Sequence, residues 1–239
     1  MEHSIQSISL FNLAFAFLPV VIVLVILYRW RLDPGNAIYA LARMIIQLLL
    51  TGYFLAYLFG AKDMWPILII LAVMVGASSW IALRTVHPHR LILLPYALIA
   101  VASGGGITLW LITQGVLELS PWYQPSYLIP IAGMIFAASM NSISLAAERL
   151  ASEMKNTEDY AKARNIAFQT ALIPNINALL AVGLVSLPGM MTGQILAGVS
   201  PLIASRYQIM VMCMIFATAG ITTAIFLTLS RNKFIIFTK

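Results

Sequence analysis

The sequence predicts an all-α, polytopic membrane bundle of about seven transmembrane helices, with the N-terminus outside and the C-terminus inside. Three observations predict it. Of 239 residues, 61% are hydrophobic and only 9% charged, against roughly a quarter charged in a soluble domain. Mean hydropathy is +0.93. The apolar residues also fall in continuous runs of the length a hydrocarbon core needs, about 20 residues each. Membrane barrels are made of shorter, alternating segments.

Seven runs qualify: 9–28, 40–59, 65–83, 91–112, 127–147, 174–195 and 207–229. The first is not a cleavable leader. Glu2 and His3 precede it without Lys or Arg, and "RWR" follows it, the polarity of a retained helix with its N-terminus outside. On that map Arg29, Arg31, Arg43, Arg84, Arg90, Arg149, Lys155, Lys162, Arg164, Arg231, Lys233 and Lys239 fall inside, and only Lys62 and Arg206 outside. This asymmetry supports both the span count and the direction. The even spread of runs predicts a single transmembrane domain over 1–239 in the cell membrane, with lipid as its solvent. The net charge of +6 reads as inner loops near anionic lipid, and no nucleic-acid motif accompanies it. Cys213 is the single cysteine, so no disulfide forms within the chain.

The longest inner segment, about 148–173, is predicted to form two short cytoplasmic helices, around 147–154 and 157–172. Asn156 or Thr157 would cap the second, Glu158 and Asp159 fill its first turn, and Glu158 pair with Lys162. Pro174 would end or kink it. The outer segment places Trp122, Tyr123 and Tyr127 at headgroup level, as interfacial anchors or as a ligand surface.

Several chemistries are missing. No G-x-x-x-x-G-K-S/T occurs, and "SGGGITL" lacks the lysine of a phosphate cradle, so its glycines are read as close helix packing. The eight carboxylates all lie at span ends or in loops, which disfavours an intramembrane proton relay. His87 and His89 flank a proline in a basic loop and make a weak metal motif. No catalytic constellation is present, so no enzyme activity is expected.

The positive signals are intramembrane breakers and polar groups. In "GLVSLPGMMTGQILAGVSP", Gly189 and Gly193 form a G-x-x-x-G that Ala197 extends, a stripe that lets helix backbones approach closely. Pro188 would interrupt the helix near Leu184 and free a carbonyl. Such a segment suits a subunit seam or a translocation path, or else a tightly packed helix with an incidental kink. Met190, Met191, Met210, Met212 and Met214 cluster near Cys213. Their sulfurs are soft donors suited to Cu(I) and equally adaptable packing groups. Positions 210, 212 and 214 do not share a helix face. Arg43 and Gln47 lie one turn apart in the second span, and Ser139 and Asn141 add polar groups to the fifth. These meet one another across helices or face a cavity.

"IPIAGMI" from Ile129, "VGLVSLPGMMTGQILAG" from Val182, "RYQIMV" from Arg206, "GGGITL" from Gly104 and "RMIIQLLLTGY" from Arg43 together resemble the FetB-type ABC transporter permeases. That family includes bacterial iron-export permeases and plant aluminium-tolerance permeases, and the resemblance covers nearly the whole chain. It implies a permease in the bacterial inner membrane, working as a homodimer with two copies of a cytoplasmic ATPase. ATP and magnesium would sit on that partner, with no cofactor on this chain. Iron or another metal species is the implied cargo, carried by alternating access. A lipid or amphipathic organic cargo, or an uncoupled channel, fits the residues as well. The implied path or seam comprises Arg43, Gln47, Met134, Ser139 and Asn141, then Pro188, Gly189, Met190, Met191, Gly193, Gln194 and Gln208. The implied ATPase-coupling helix carries Asn156, Thr157, Glu158, Asp159, Tyr160, Arg164 and Phe168. Two departures from the family pattern stand out. The inner loop lacks the family's leucine-glycine-alanine turn, and Ala137 and Ala138 replace a glycine-asparagine pair, for which Asn141 may stand in one turn later.

Overall fold

A computed structural model describes residues 8–58 and 63–237. Glu2, His3, Lys62 and Lys239, used above for orientation, lie outside the described residues. The chain divides into two units, Met1–Ala61 and Lys62–Lys239.

The first unit is two apolar rods. Helix α1 (Leu10–Phe15) is capped by Ser9, whose Oγ accepts the Asn12 N–H at 3.1 Å. Helix α2 (Leu18–Arg29) starts afresh with Pro19 in its first turn, where a missing N–H costs nothing. After Arg31 at φ 57°, Asp33 accepts the Gly35 N–H at 2.8 Å and the Asn36 amide at 3.1 Å. Those bonds start α3 (Gly35–Leu58).

The second unit begins with α4 (Trp65–Ala82) and turns through a 3₁₀ segment, Leu83–His89. The chain returns as α5 (Arg90–Ala100), a π-helical turn at Val101–Gly105, α6 (Gly106–Trp110) and a second π-helical segment at Leu111–Val116. Long α7 (Pro125–Glu153), α8 (Tyr160–Ala181) and α10 (Pro201–Leu229) pack on one another. Short α9 (Gly189–Leu196) precedes α10 and α11 (Arg231–Phe237) follows it. No strand occurs among the described residues, as the apolar runs required. Among the described residues, five stretches are long and apolar enough to cross a membrane, and one of them, Trp65–Val116, contains α4 and the returning rod together.

Five core hydroxyls are quieted locally, whereas those of Ser79, Thr218 and Thr223 are buried without a partner among the described residues. Thr108, Thr113, Ser139, Ser142 and Thr222 each donate to the carbonyl four residues back, at 2.8 to 3.0 Å. This satisfies a polar group without water. The predicted close packing of the "SGGGITL" glycines is observed at Gly104 and Gly105, but not at Gly106, where a Cβ would meet nothing within 4 Å. A Cβ on Gly104 would lie 2.9 Å from Thr222 Cγ2, and one on Gly105 3.1 Å from Phe136 Cε1.

The inner segment differs from expectation. Residues 148–153 continue α7 instead of forming a separate helix, and 160–172 are the first half of α8. The cap is Asp159, whose Oδ1 accepts the Ala161 and Lys162 N–H groups at 2.9 and 3.3 Å, whereas Thr157 Oγ1 accepts from Asp159 N. The ion pair seen here is Arg149 with Glu153 at 2.6 Å, not Glu158 with Lys162. Pro174 lies inside α8 without ending it. A proline in a helix interior costs about 3 kcal/mol, but this helix is held by tertiary packing. Ala163, Ala167 and Ala171 form a fully buried stripe at four-residue spacing, with Leu172 beside them, while Pro174 is exposed.

The run 174–195, read as one span interrupted near Leu184, is broken there, between Ala181 and Gly189. Its breakers act as caps. Gly183, at φ +83°, opens a turn in which its N–H donates to Ser186 O at 2.9 Å. Pro188 is the N-cap of α9, not a kink within it, and its carbonyl accepts Thr192 N at 3.0 Å. At the other end Gly198, at φ +90°, donates to Ile195 O while Val199 donates to Gln194 O, both at 3.0 Å, the two bonds of a Schellman stop. Ser200 then caps α10 and Pro201 opens it. Gly183→Ala is expected to cost about 1–2 kcal/mol from backbone strain alone, since no atom lies near the new Cβ. Thermal unfolding in detergent, with Gly189→Ala as the unstrained reference, checks it.

Candidate functional site

Two ends of the second unit carry the chemistry. At one, basic residues gather. Arg84, His87 and Arg90 come from the 3₁₀ segment and the start of α5, Arg149 from the end of α7, Lys162 and Arg164 from the start of α8. Thr85 Oγ1 donates to Ser144 O at 3.3 Å and joins the 3₁₀ segment to α7. Arg90 folds back, its guanidinium 3.6 Å from the Trp80 ring centroid and its Nε donating to Trp80 O at 3.0 Å.

The coupling residues predicted from sequence divide here. Asn156, Glu158, Asp159 and Arg164 are exposed, and Thr157 is half-buried, on or beside the elbow between α7 and α8. Tyr160 is buried, and its hydroxyl donates to the Leu227 carbonyl near the end of α10. That carbonyl is among the last four of its helix, which have no partner within the helix. The Arg231 guanidinium stands 5.8 Å from the Tyr160 ring. Phe168 and Arg164 line a cavity of about 260 Å³ against Thr228.

At the opposite end α9 lies beside α10, with a cavity on each flank. One, about 320 Å³, brings Met134 of α7, Met190 of α9 and Met210 of α10 together with Tyr127 and Tyr207. The other, about 430 Å³, is lined by Met191, Ser205, Gln208, Met212 and Cys213, under the Gly183 turn. Adjacent methionines on α9 thus face different cavities, and Met214 is buried in the core. Gln208 is 5% exposed, and its Oε1 has no hydrogen-bond partner. Gln194 Oε1 is likewise without one. A third cavity, about 460 Å³, lies between Trp110, Trp122, Thr113 and Gln114.

Other expected path residues do not join these groups. Ser139 is fully buried and bonded to Ile135 O, and Asn141 is exposed on α7. Arg43 and Gln47 belong to the first unit and are exposed on α3. The G-x-x-x-G finds no close neighbour within the chain, because a Cβ on Gly189 or Gly193 would meet open space. Ser205, Met212 and Cys213 were not singled out as partners of Gln208 from sequence. Positions 205, 208, 209 and 212 do carry helix-face spacing, and that was the available signal. No group of three or more His, Cys, Asp or Glu side chains sits together among the described residues.

The model of the uncharacterised protein family UPF0014 matches residues 10–235. The chain is 37% identical to the UPF0014 membrane protein slr1647 of Synechocystis, over 84% of this chain and 83% of that one. It is 34% identical to the probable iron export permease protein FetB of Escherichia coli, over 98% and 93%. Protein ALUMINUM SENSITIVE 3 of Arabidopsis thaliana is 30% identical over 88% and 81%. No solved structure matches. Relatives named as a membrane protein and a permease, matched over 84% and 98% of this chain, join the apolar helices and the interrupted segment around Pro188 in one conclusion: this is a multi-pass membrane protein of the UPF0014 family.

Proposed function

We propose that the chain is the membrane permease of an ATP-binding cassette exporter in the bacterial inner membrane, working as a homodimer with two copies of a separate ATPase. The observation that carries this reading is the likeness, across 98% of the chain, to a protein named as a probable iron export permease. The sequence holds no phosphate-binding loop, so the energy must come from a partner. Metal species are the cargo class favoured by that likeness. In this reading α8, about 33 Å long at 1.5 Å per residue, is the sixth of seven crossings, and the basic end faces the cytoplasm.

In this reading the coupling element is the elbow between α7 and α8, not a projecting helix. Lys155, Asn156 and Glu158 are exposed there, whereas Tyr160, Ala163 and Ala167 are enclosed by the bundle. ATP-driven closure of the partner pair would push on this elbow, and α8 would pass the movement to α10 through Tyr160. A ligand shifts such an equilibrium only by its differential affinity for the two states.

The test is reconstitution with the cassette ATPase encoded nearest to this chain. Stimulated hydrolysis and ATP-dependent metal movement in vesicles are expected. The triple variant Lys155→Ala, Asn156→Ala, Glu158→Ala should keep the fold yet weaken ATPase binding about ten-fold or more, as for interface anchors. Full stimulation in that variant would remove the elbow from the mechanism. A pure homo-oligomer conducting without ATP would replace the permease reading with a channel.

A further inference from the structure

We propose that the cavity between the Gly183 turn, α9 and α10 binds a soft monovalent cation, Cu(I) or its analogue Ag(I), through the sulfurs of Met191, Met212 and Cys213 with Gln208 Oε1 beside them. Three features of the site converge. Its wall carries two thioethers and a thiol from two different helices, the donor set that selects Cu(I) over hard cations. It also carries an amide oxygen that is buried and without a partner. Leaving such an acceptor unmet costs about 1–3 kcal/mol, and a bound cation or its water would meet it.

Packing alone does not account for this arrangement. Met214, one turn from Met210 on the same helix, is 1% exposed and enclosed by core atoms. Met191 and Met212 instead line empty space, and Cys213 is exposed. Gln208 and Met212 share one face of α10 by their spacing, so two of the four donors come from one rigid rod, with Cys213 beside them and Met191 opposite on α9. No carboxylate or histidine lines the cavity, which leaves Mg²⁺ or Ca²⁺ without the oxygen ligands they require. On binding, Cys213 would deliver its thiolate, and its proton would pass to solvent.

The proposal concerns binding by this chain, not transport, so it is tested without an ATPase, and its failure would leave the permease reading standing. The purified chain in detergent, under a reductant, is titrated with Cu(I) against a chromophoric Cu(I) chelator. One Cu(I) per chain is expected, with sulfur neighbours in its X-ray absorption spectrum. Even outer-sphere partners change metal affinity about 10–100-fold, so the volume-conserving pair Met191→Leu, Met212→Leu should lose at least ten-fold, and Cys213→Ser similarly. Met214→Leu should bind as the parent does. Size-exclusion and melting profiles of each variant show that the fold survives. Absence of Cu(I) binding by the parent, unchanged affinity in the Met pair, or equal loss in Met214→Leu would each overturn the assignment.

Discussion

Gly104→Leu is expected to destabilise the second unit by about 1–3 kcal/mol, the usual cost of overpacking, and to lower its melting temperature in detergent. Even the first carbon of a side chain would sit 2.9 Å from Thr222 Cγ2, 3.1 Å from Ile221 Cγ2 and 3.3 Å from Ile225 Cδ1. These neighbours cannot swing aside. Ile221 of α10 is β-branched and held near one χ1 rotamer in a helix, and Thr222 is fixed by the bond its Oγ1 donates to Thr218 O at 2.8 Å. Gly104 itself lies in the π-helical turn Val101–Gly105, where the backbone is already pressed against α10. Relief therefore requires the two rods to separate. Gly193→Ala is the informative contrast. Nothing lies within 4 Å of its new Cβ, so it should be neutral or gain about 0.5–1 kcal/mol from helix propensity. Parallel melting curves of the two variants decide the matter, and equal stability would contradict the packing described for Gly104.

Tyr160→Ala should have the larger effect, about 3–5 kcal/mol for deletion of a buried aromatic ring. Tyr160 is 7% exposed and joins the beginning of α8 to the end of α10 through its hydroxyl and the Leu227 carbonyl. Tyr160→Phe keeps the ring and isolates the hydrogen bond, so its cost should be about 0.5–1.5 kcal/mol. The elbow on either side contains Lys155 and Lys162. Trypsin should cut it faster in Tyr160→Ala than in the parent, with Tyr160→Phe between them. Identical cleavage rates in all three would mean that this contact does not hold α8 in place.

Six of the seven predicted runs were legible because lipid leaves a chain little choice: where it surrounds a helix, the side chains must be apolar. The sixth run was misplaced for the same reason in reverse. Helix α8 packs on α7 and α10 through its alanine face, while Asn165, Gln169 and Asn177 are exposed and Asn175 half-buried, so hydropathy passes over it. The alanines at 163, 167 and 171 were the readable trace of that packing. The G-x-x-x-G was read as a contact, but small residues mark only a surface that permits approach, not the neighbour that takes it. Gly104 and Gly193 look alike in sequence and differ in structure by the presence of α10. The methionines were likewise visible as a cluster, whereas their division between two cavities depends on how α9 lies along α10.

The polar character of α8 bears on how the protein is made. A translocating channel releases helices to lipid according to their own apolarity, and this one, with four side-chain amides along its length, would not leave on that criterion. Its alanine stripe is buried, and α8 packs on α7, made before it, and on α10, made later. If α8 is a crossing, as the permease reading has it, the last third of the polypeptide would insert as a group, and the segment from Tyr160 to Ala181 would gain its stable place in the bilayer only once α10 had emerged from the ribosome.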